Sequence, residues 1–165
     1  HLKDINVDYL RVGTNPTDYD RVDGFLFLSS SNWAESKQQI LKESLLKNDR
    51  PVIVANPDLA APRDNGFSME PGHFGHLLIE SGIKNVRFFG KPFPEVYDLV
   101  EYSLPGIPAH KIVMCGDTLH TDILGALIRG WQTVLVTQDG IYSGFNTTKY
   151  CSDSGIFPNW RLKRI

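Results

Sequence analysis

The chain has 165 residues, a hydrophobic share of 41% and a net charge of −2 from 17 Lys plus Arg against 19 Asp plus Glu. That length holds one ordinary domain or two small ones, and that apolar share excludes a disordered chain. The densest basic stretch, Arg161-Leu-Lys163-Arg164, is too short for a nucleic-acid footprint and no apolar run approaches a membrane span, so neither partner is expected.

The first residues, His-Leu-Lys-Asp-Ile-Asn, are polar, contain no signal-peptide core and do not start with Met, which reads as a start inside a longer gene product. Phe25-Leu-Phe-Leu28 is a short apolar strand, and Ser29-Ser-Ser-Asn32 offers N-caps for a helix over 33–48 with Ile40, Leu41 and Leu45 on one face. Asn48-Asp49 stops that helix, and Pro51-Val-Ile-Val-Ala55 is a second strand. Residues 56–72, rich in Pro, Gly, Asn and Asp, read as a loop, and 73–81 as a helix. From 86 the rhythm is regular. Strands at Val86–Phe89, Ile112–Cys115 and Thr133–Val136 alternate with helices over 94–104 and 119–129. Val96, Leu99, Val100 and Leu104 make the stripe of the first helix, and Leu119, Ile123, Leu124, Leu127 and Ile128 that of the second, which Gly130 ends. Alternation of this kind predicts a parallel sheet, but three strands are only half of a doubly wound domain.

Chemistry concentrates at two strand ends. In Met114-Cys115-Gly116-Asp117-Thr118-Leu119-His120-Thr121-Asp122, a strand ends in Gly-Asp and a second Asp opens the next helix. Ligands of open parallel sheets sit beyond the carboxyl ends of strands. Two carboxylates without a thiol or imidazole cluster suit a hard cation such as Mg²⁺. The competing reading makes Asp117 an N-cap and Asp122 a first-turn residue facing the helix dipole. Gly90-Lys91-Pro92 follows the Val86–Phe89 strand, so Lys91 is expected to reach the same crevice and hold a phosphoryl group, with both motifs in one sheet. Alone, Lys91 would be an ordinary solvated lysine.

Gly90-Lys91-Pro92 followed by Gly116-Asp117-Thr-x-x-Thr-Asp122 resembles motifs three and four of the haloacid dehalogenase-like hydrolases. Ala55-Asn56-Pro57-Asp58 with Pro71-Gly72 resembles the cap of class IIA members, the 4-nitrophenylphosphatase-like and nucleotide-phosphatase-like group, and the likeness covers about 22–144. The resemblance implies an α/β fold: an α/β cap domain over 1–88, then the C-terminal half of a Rossmann-like parallel-sheet core over 89–165. It implies a Mg²⁺-dependent phosphatase acting on a small phosphorylated metabolite. Lys91 would bind the phosphoryl group, Asp117 would ligate Mg²⁺, and Asp122 would support the metal shell and orient Lys91. Asn56 and Asp58 would lie on the cap surface that closes over substrate, with Arg63 in a loop contributing to specificity. A cytoplasmic location and a homodimer through the cap complete the expectation.

The family's nucleophile sits in an Asp-x-Asp motif ahead of the cap, where the first Asp attacks phosphorus and the second serves as acid and base. Asp20-Arg-Val-Asp23, taken as a candidate, has the wrong spacing, and its apolar run follows instead of preceding it. The nucleophile segment is therefore expected before His1, and this chain alone is expected to be inactive. The alternative function is a catalytically inactive binding or dimerisation module. A receiver-like signalling domain also uses clustered Asp, a Lys and Mg²⁺, but in another order and without a cap-like segment.

The remaining candidates read as structural. His73 and His76 lack a third ligand and read as loop or packing residues, and His120 reads as solvent-facing. Cys115 reads as a small buried residue. With no Cys-x-x-Cys, Cys115 and Cys151 fit a reducing compartment. Asn146-Thr-Thr148 matches a glycosylation acceptor with no other sign of secretion. Trp33, Trp131 and Trp160 read as packing residues.

Overall fold

The computed structural model describes residues 7–165. Two three-stranded parallel sheets carry the fold. The first joins β1 (Phe25–Phe27), β2 (Val52–Val54) and β5 (Val86–Phe88) in the order β1-β2-β5. The second joins β6 (Val113–Gly116), β7 (Gln132–Val136) and β8 (Trp160–Leu162) in the order β6-β7-β8. Between β2 and β5 in sequence, β3 (Ala60–Arg63) and β4 (Gly66–Met69) form an antiparallel hairpin.

The first sheet is built as alternating strand and helix. Between β1 and β2 runs α2 (Glu35–Lys47), with Glu35 in its first turn and Lys47 in its last, both signs matched to the helix dipole. Leu41, Ser44 and Leu45, at i, i+3 and i+4, are its buried face. They meet Phe27, Val52, Val54, Ile83 and Leu78, the last from α3 (Pro71–Glu80). Each of these apolar side chains contributes about 1.5–3 kcal/mol by leaving water. A short helix, α1 (Pro16–Asp20), is capped by Asn15 and buries Tyr19 in the same core.

Arg50, at the turn into β2, is buried and holds this unit together. Its guanidinium donates to the carbonyls of Tyr19 (2.5 Å), Val22 (3.2 Å), Asn48 (3.1 Å) and Ser44 (3.0 Å), and to the Ser44 hydroxyl (2.6 Å). The Ser44 hydroxyl in turn donates to Asp20, and the guanidinium lies over the Phe25 ring. Asp20, the candidate weighed with Asp23, thus belongs to this packing network, and Asp18-Tyr19-Asp20, which does have Asp-x-Asp spacing and was missed in the sequence, lies on α1 with Tyr19 buried and not at a strand end.

Around the second sheet, whose β6 and β7 are joined through α5 (Leu124–Ile128), Leu119, Ile123, Leu135, Tyr142, Cys151 and Ile156 form one core, and Tyr97, Ile112, Ala126 and Trp131 another. Asn146 caps α6 (Thr147–Ser154) by accepting from the Thr148 and Lys149 amides, so its side chain is engaged in the fold. Asn159 and Thr133 exchange hydrogen bonds of 2.8–3.0 Å and pin the start of β8 beside β7.

Four expectations are corrected. Val86–Phe88 pairs with Val52–Val54 in the first sheet, so the Lys91 and Asp117 motifs follow strands of different sheets. Pattern shows that a segment is a strand, while its partner is chosen by tertiary packing. Residues 60–69, expected as loop, form the β3–β4 hairpin. In α4 (Pro94–Ser103) the buried residue is Tyr97, and Leu99, of the expected stripe, is 67% exposed, because the helix turns its Tyr97 and Glu101 side toward Trp131. Cys115 is exposed on β6, an edge strand on which Val113 is 51% exposed too. The α1, α6 and β8 elements had no counterpart in the sequence reading. Among the described residues no helix is long and apolar enough to cross a membrane.

Candidate active site

Three side chains from two sheets converge. Strand β5 ends at Phe88, and the loop that follows carries Gly90 and Lys91. Strand β6 ends at Gly116, followed by Asp117 and a wide π-type turn, Leu119–Ile123, that carries Asp122. Such turns recur at functional sites because they re-aim side chains that a regular helix would hold at fixed spacing. Here the turn brings Asp122 back under the strand end, where Lys91 Nζ meets Asp122 Oδ1 at 2.5 Å. Asp122 is 2% exposed, and its other oxygen accepts the Thr118 amide at 3.1 Å. A buried carboxylate held by an ammonium and an amide is fixed in place. The expected first-turn role of Asp122 and its expected role toward Lys91 therefore coexist in one side chain.

Asp117 is held differently. Its Oδ2 accepts the Ile141 amide at 2.9 Å, and its Oδ1 accepts no hydrogen bond among the described residues. Close approach of backbone to these carboxylates demands glycine. A Cβ on Gly116 would lie 2.2 Å from Asp122 Cγ, and one on Gly140, whose φ is +117°, would lie 1.9 Å from Asp117 Oδ2. An anchored carboxylate with one free oxygen is a donor suited to a hard cation.

Asp58 faces the same crevice. Burial pushes its carboxyl above the ordinary value of 3.8. The Lys91 ammonium works against that rise, and the Asp122, Glu70 and Asp117 carboxylates add to it. Asn56 accepts the Asp58 amide at 3.2 Å and so shapes the turn that presents Asp58. Pro57 between them packs on the Lys91 loop: a Cβ on Gly90 would lie 2.9 Å from Pro57 Cδ. Arg63 is engaged elsewhere, exposed and paired with Glu70 at 2.8 Å. Glu70 is buried and also accepts from Ser68 at 2.6 Å. The sequence reading missed Glu70 and the Ile141 amide. Only Asp139-Gly140, a turn signal just past β7, pointed to the latter.

Because folding raises the Asp58 pKa, the folded state binds that proton more tightly than the unfolded chain. The contribution of Asp58 to stability is therefore fully present below pH 3.8 and is lost as pH rises through the elevated value. Asp58→Asn is expected to raise the melting temperature at pH 7 by about 2 °C and to leave it unchanged at pH 3, measured by circular dichroism. A lower melting temperature at pH 7 would show that Lys91, and not burial, governs this carboxylate.

His73, His76 and His120 have other surroundings. His76 stacks on Phe88 at 4.7 Å, His73 meets Phe74 edge-on, and His120 is exposed. Among the described residues no three His, Cys, Asp or Glu side chains gather as a metal cluster, and of the two expected ligands Asp122 has both oxygens engaged while Asp117 keeps one open.

A family model described as HAD-hydrolase-like matches residues 88–151, the stretch from the end of β5 into α6. An acid sugar phosphatase of Staphylococcus aureus is 25% identical over 120 residues, covering 73% of this chain and 44% of that protein. Among solved structures, a p-nitrophenyl phosphatase from Archaeoglobus fulgidus superposes with a TM-score of 0.69 at 20% identity, over 88% of this chain and 55% of that one. A thermostable NPPase variant from Geobacillus stearothermophilus superposes with a TM-score of 0.62 at 26% identity, over 88% and 54%. The chain thus spans about half the length of the relatives it matches. Motif residues, topology and these matches agree in likening the chain to haloacid dehalogenase-like hydrolases, with 4-nitrophenylphosphatase-like structures among those it resembles.

Proposed function

We propose that this chain supplies the phosphoryl-binding lysine and the metal-binding carboxylates of a Mg²⁺-dependent phosphatase acting on small phosphate monoesters. The observation that carries the proposal is the Lys91–Asp122 pair at 2.5 Å, beside an anchored Asp117 with a free oxygen. Residues 1–88 act as the cap and 89–165 as half of the core. Lys91 neutralises charge on the phosphoryl oxygens and is held in place by Asp122. Asp117, supported by Asp122, would hold Mg²⁺, which when bound supplies charge to the phosphoryl oxygens. The attacking carboxylate, which forms the aspartyl-phosphate, has no counterpart at a strand end among the described residues, where Asp18-Tyr19-Asp20 lies on α1, so another segment would supply it and these 165 residues alone would be inactive.

Asn56 and Asp58 face the substrate from the cap side, and Arg63 acts on substrate choice through the hairpin. The activities for which the relatives are named make sugar phosphates and 4-nitrophenyl phosphate the compounds to try first. The proposal includes a cap-mediated homodimer and a cytoplasmic location, and two free cysteines, one of them exposed, suit a reducing compartment. The test is phosphate release from 4-nitrophenyl phosphate by the full-length protein. Turnover that disappears with EDTA and returns with Mg²⁺ is expected. A full-length protein that binds Mg²⁺ but hydrolyses no monoester in a broad panel would favour the binding-module reading.

A further inference from the structure

The segments bearing Lys91 and Asp122 meet a second time, one helical turn along. Tyr97 lies in the first half of α4, six residues after Lys91, and is 2% exposed. Its hydroxyl donates to the carbonyl of Thr121 at 2.9 Å, the peptide just ahead of Asp122. Room for that hydroxyl exists because residue 125 is glycine: a Cβ there would lie 2.0 Å from it. The ring packs edge-on against Trp131 at 5.3 Å, and Trp131 donates to Glu101 on the same helix at 2.9 Å. Burial, and after it the Asp122 carboxylate, pushes the Tyr97 pKa to about 12, so the hydroxyl remains a donor throughout the neutral range.

The geometry points to Tyr97 as a positioning residue that sets the separation of Lys91 and Asp122 by tying α4 to the π-type turn. The π-type turn is wider than a regular helix, and the Tyr97 hydroxyl adds a second donor to the Thr121 carbonyl, which also accepts the Leu124 amide. Loss of the hydroxyl frees the turn to relax and draws Asp122 away from Lys91. The catalytic importance of this contact rests on the phosphatase proposal, but the contact itself does not.

Tyr97→Phe keeps the ring and removes the hydroxyl. Two readouts in the full-length protein separate positioning from plain packing. The first is acylation of the Lys91 amine, followed by mass spectrometry, with Lys84 and Lys149 as fold controls and Asp122→Asn marking full release of the pair. A lysine clamped against a carboxylate must leave it before it can react. Tyr97→Phe is expected to raise Lys91 labelling about threefold toward the Asp122→Asn level, with the control lysines unchanged. The second is 4-nitrophenyl phosphate hydrolysis, where kcat is expected to fall about tenfold with KM within about twofold. Lys91 labelling that stays at the wild-type level in Tyr97→Phe, or in both variants, overturns the proposal. A full-length wild-type protein without phosphatase activity would instead refute the functional reading, and the labelling result would still decide the role of Tyr97.

Discussion

Asp117→Asn in the full-length protein is expected to lower phosphatase turnover by about a hundredfold or more while leaving the melting temperature within about 2 °C. The two halves of that result come from the two oxygens of one side chain. Oδ2 accepts the Ile141 amide at 2.9 Å, and an asparagine carbonyl can accept it equally well, so the loop after β7 stays in place. The amide nitrogen then stands where the free Oδ1 stood, and offers hydrogen-bond donors to a site that needs a negative ligand. Gly140→Ala attacks the same carboxylate without changing its charge. Its Cβ would fall 1.9 Å from Oδ2, in a backbone conformation of φ +117° that alanine resists. Turnover should therefore fall in that variant too, accompanied by a loss of stability. Full activity in Asp117→Asn, measured across Mg²⁺ concentrations, would remove Asp117 from the metal site.

Arg50→Ala is expected to destabilise the first sheet and its helices by about 3–5 kcal/mol, a fall of about 10 °C in melting temperature. The guanidinium is buried and serves five acceptors on α1, α2 and the turns around them. Truncation leaves the Tyr19 and Val22 carbonyls without that donor and opens a space beside Phe25. Lysine cannot repair it, because a point charge on a flexible stem does not reproduce a planar fork with donors on several sides. Arg50→Lys should therefore recover less than half of the loss in urea titrations. A change within about 0.5 kcal/mol for Arg50→Ala would mean that water replaces the guanidinium at little cost.

The strands and helices that could be read from sequence were those with dense, short-range signals. Phe25–Phe27, Val52–Val54 and Gln132–Val136 are β-branched or aromatic runs bounded by turn residues, and they fell within a residue or two of expectation. Leu41 and Leu45 carried the face of α2 correctly. The hairpin was missed because Ala60-Ala-Pro-Arg63 has weak strand propensity, although Asp64-Asn-Gly66 ahead of Phe67 was a usable turn signal. The burial of Tyr97 was hidden by a more apolar stripe on the other side of α4, and which side faces inward depends on Trp131, a residue some thirty positions away. In the site, Lys91, Asp117 and Asp122 were singled out because they follow strand ends in a pattern that resembles known motifs, and the structure pairs Lys91 with Asp122. Glu70, the Ile141 amide and Tyr97 act through contacts between distant segments, and nothing in their local sequence announces those contacts.

The contact of Pro57 with Gly90 constrains how this molecule can be re-engineered or recombined. Lys91 works against Asp122 of the second sheet, yet its loop is moulded on the Asn56–Asp58 turn of the first. A chimaera that exchanges the first sheet for that of a relative, with its junction placed before Gly90, would seat a foreign turn against the native lysine loop. The crossover that preserves the site lies beyond Pro92, so that turn, glycine and lysine travel as a single cassette.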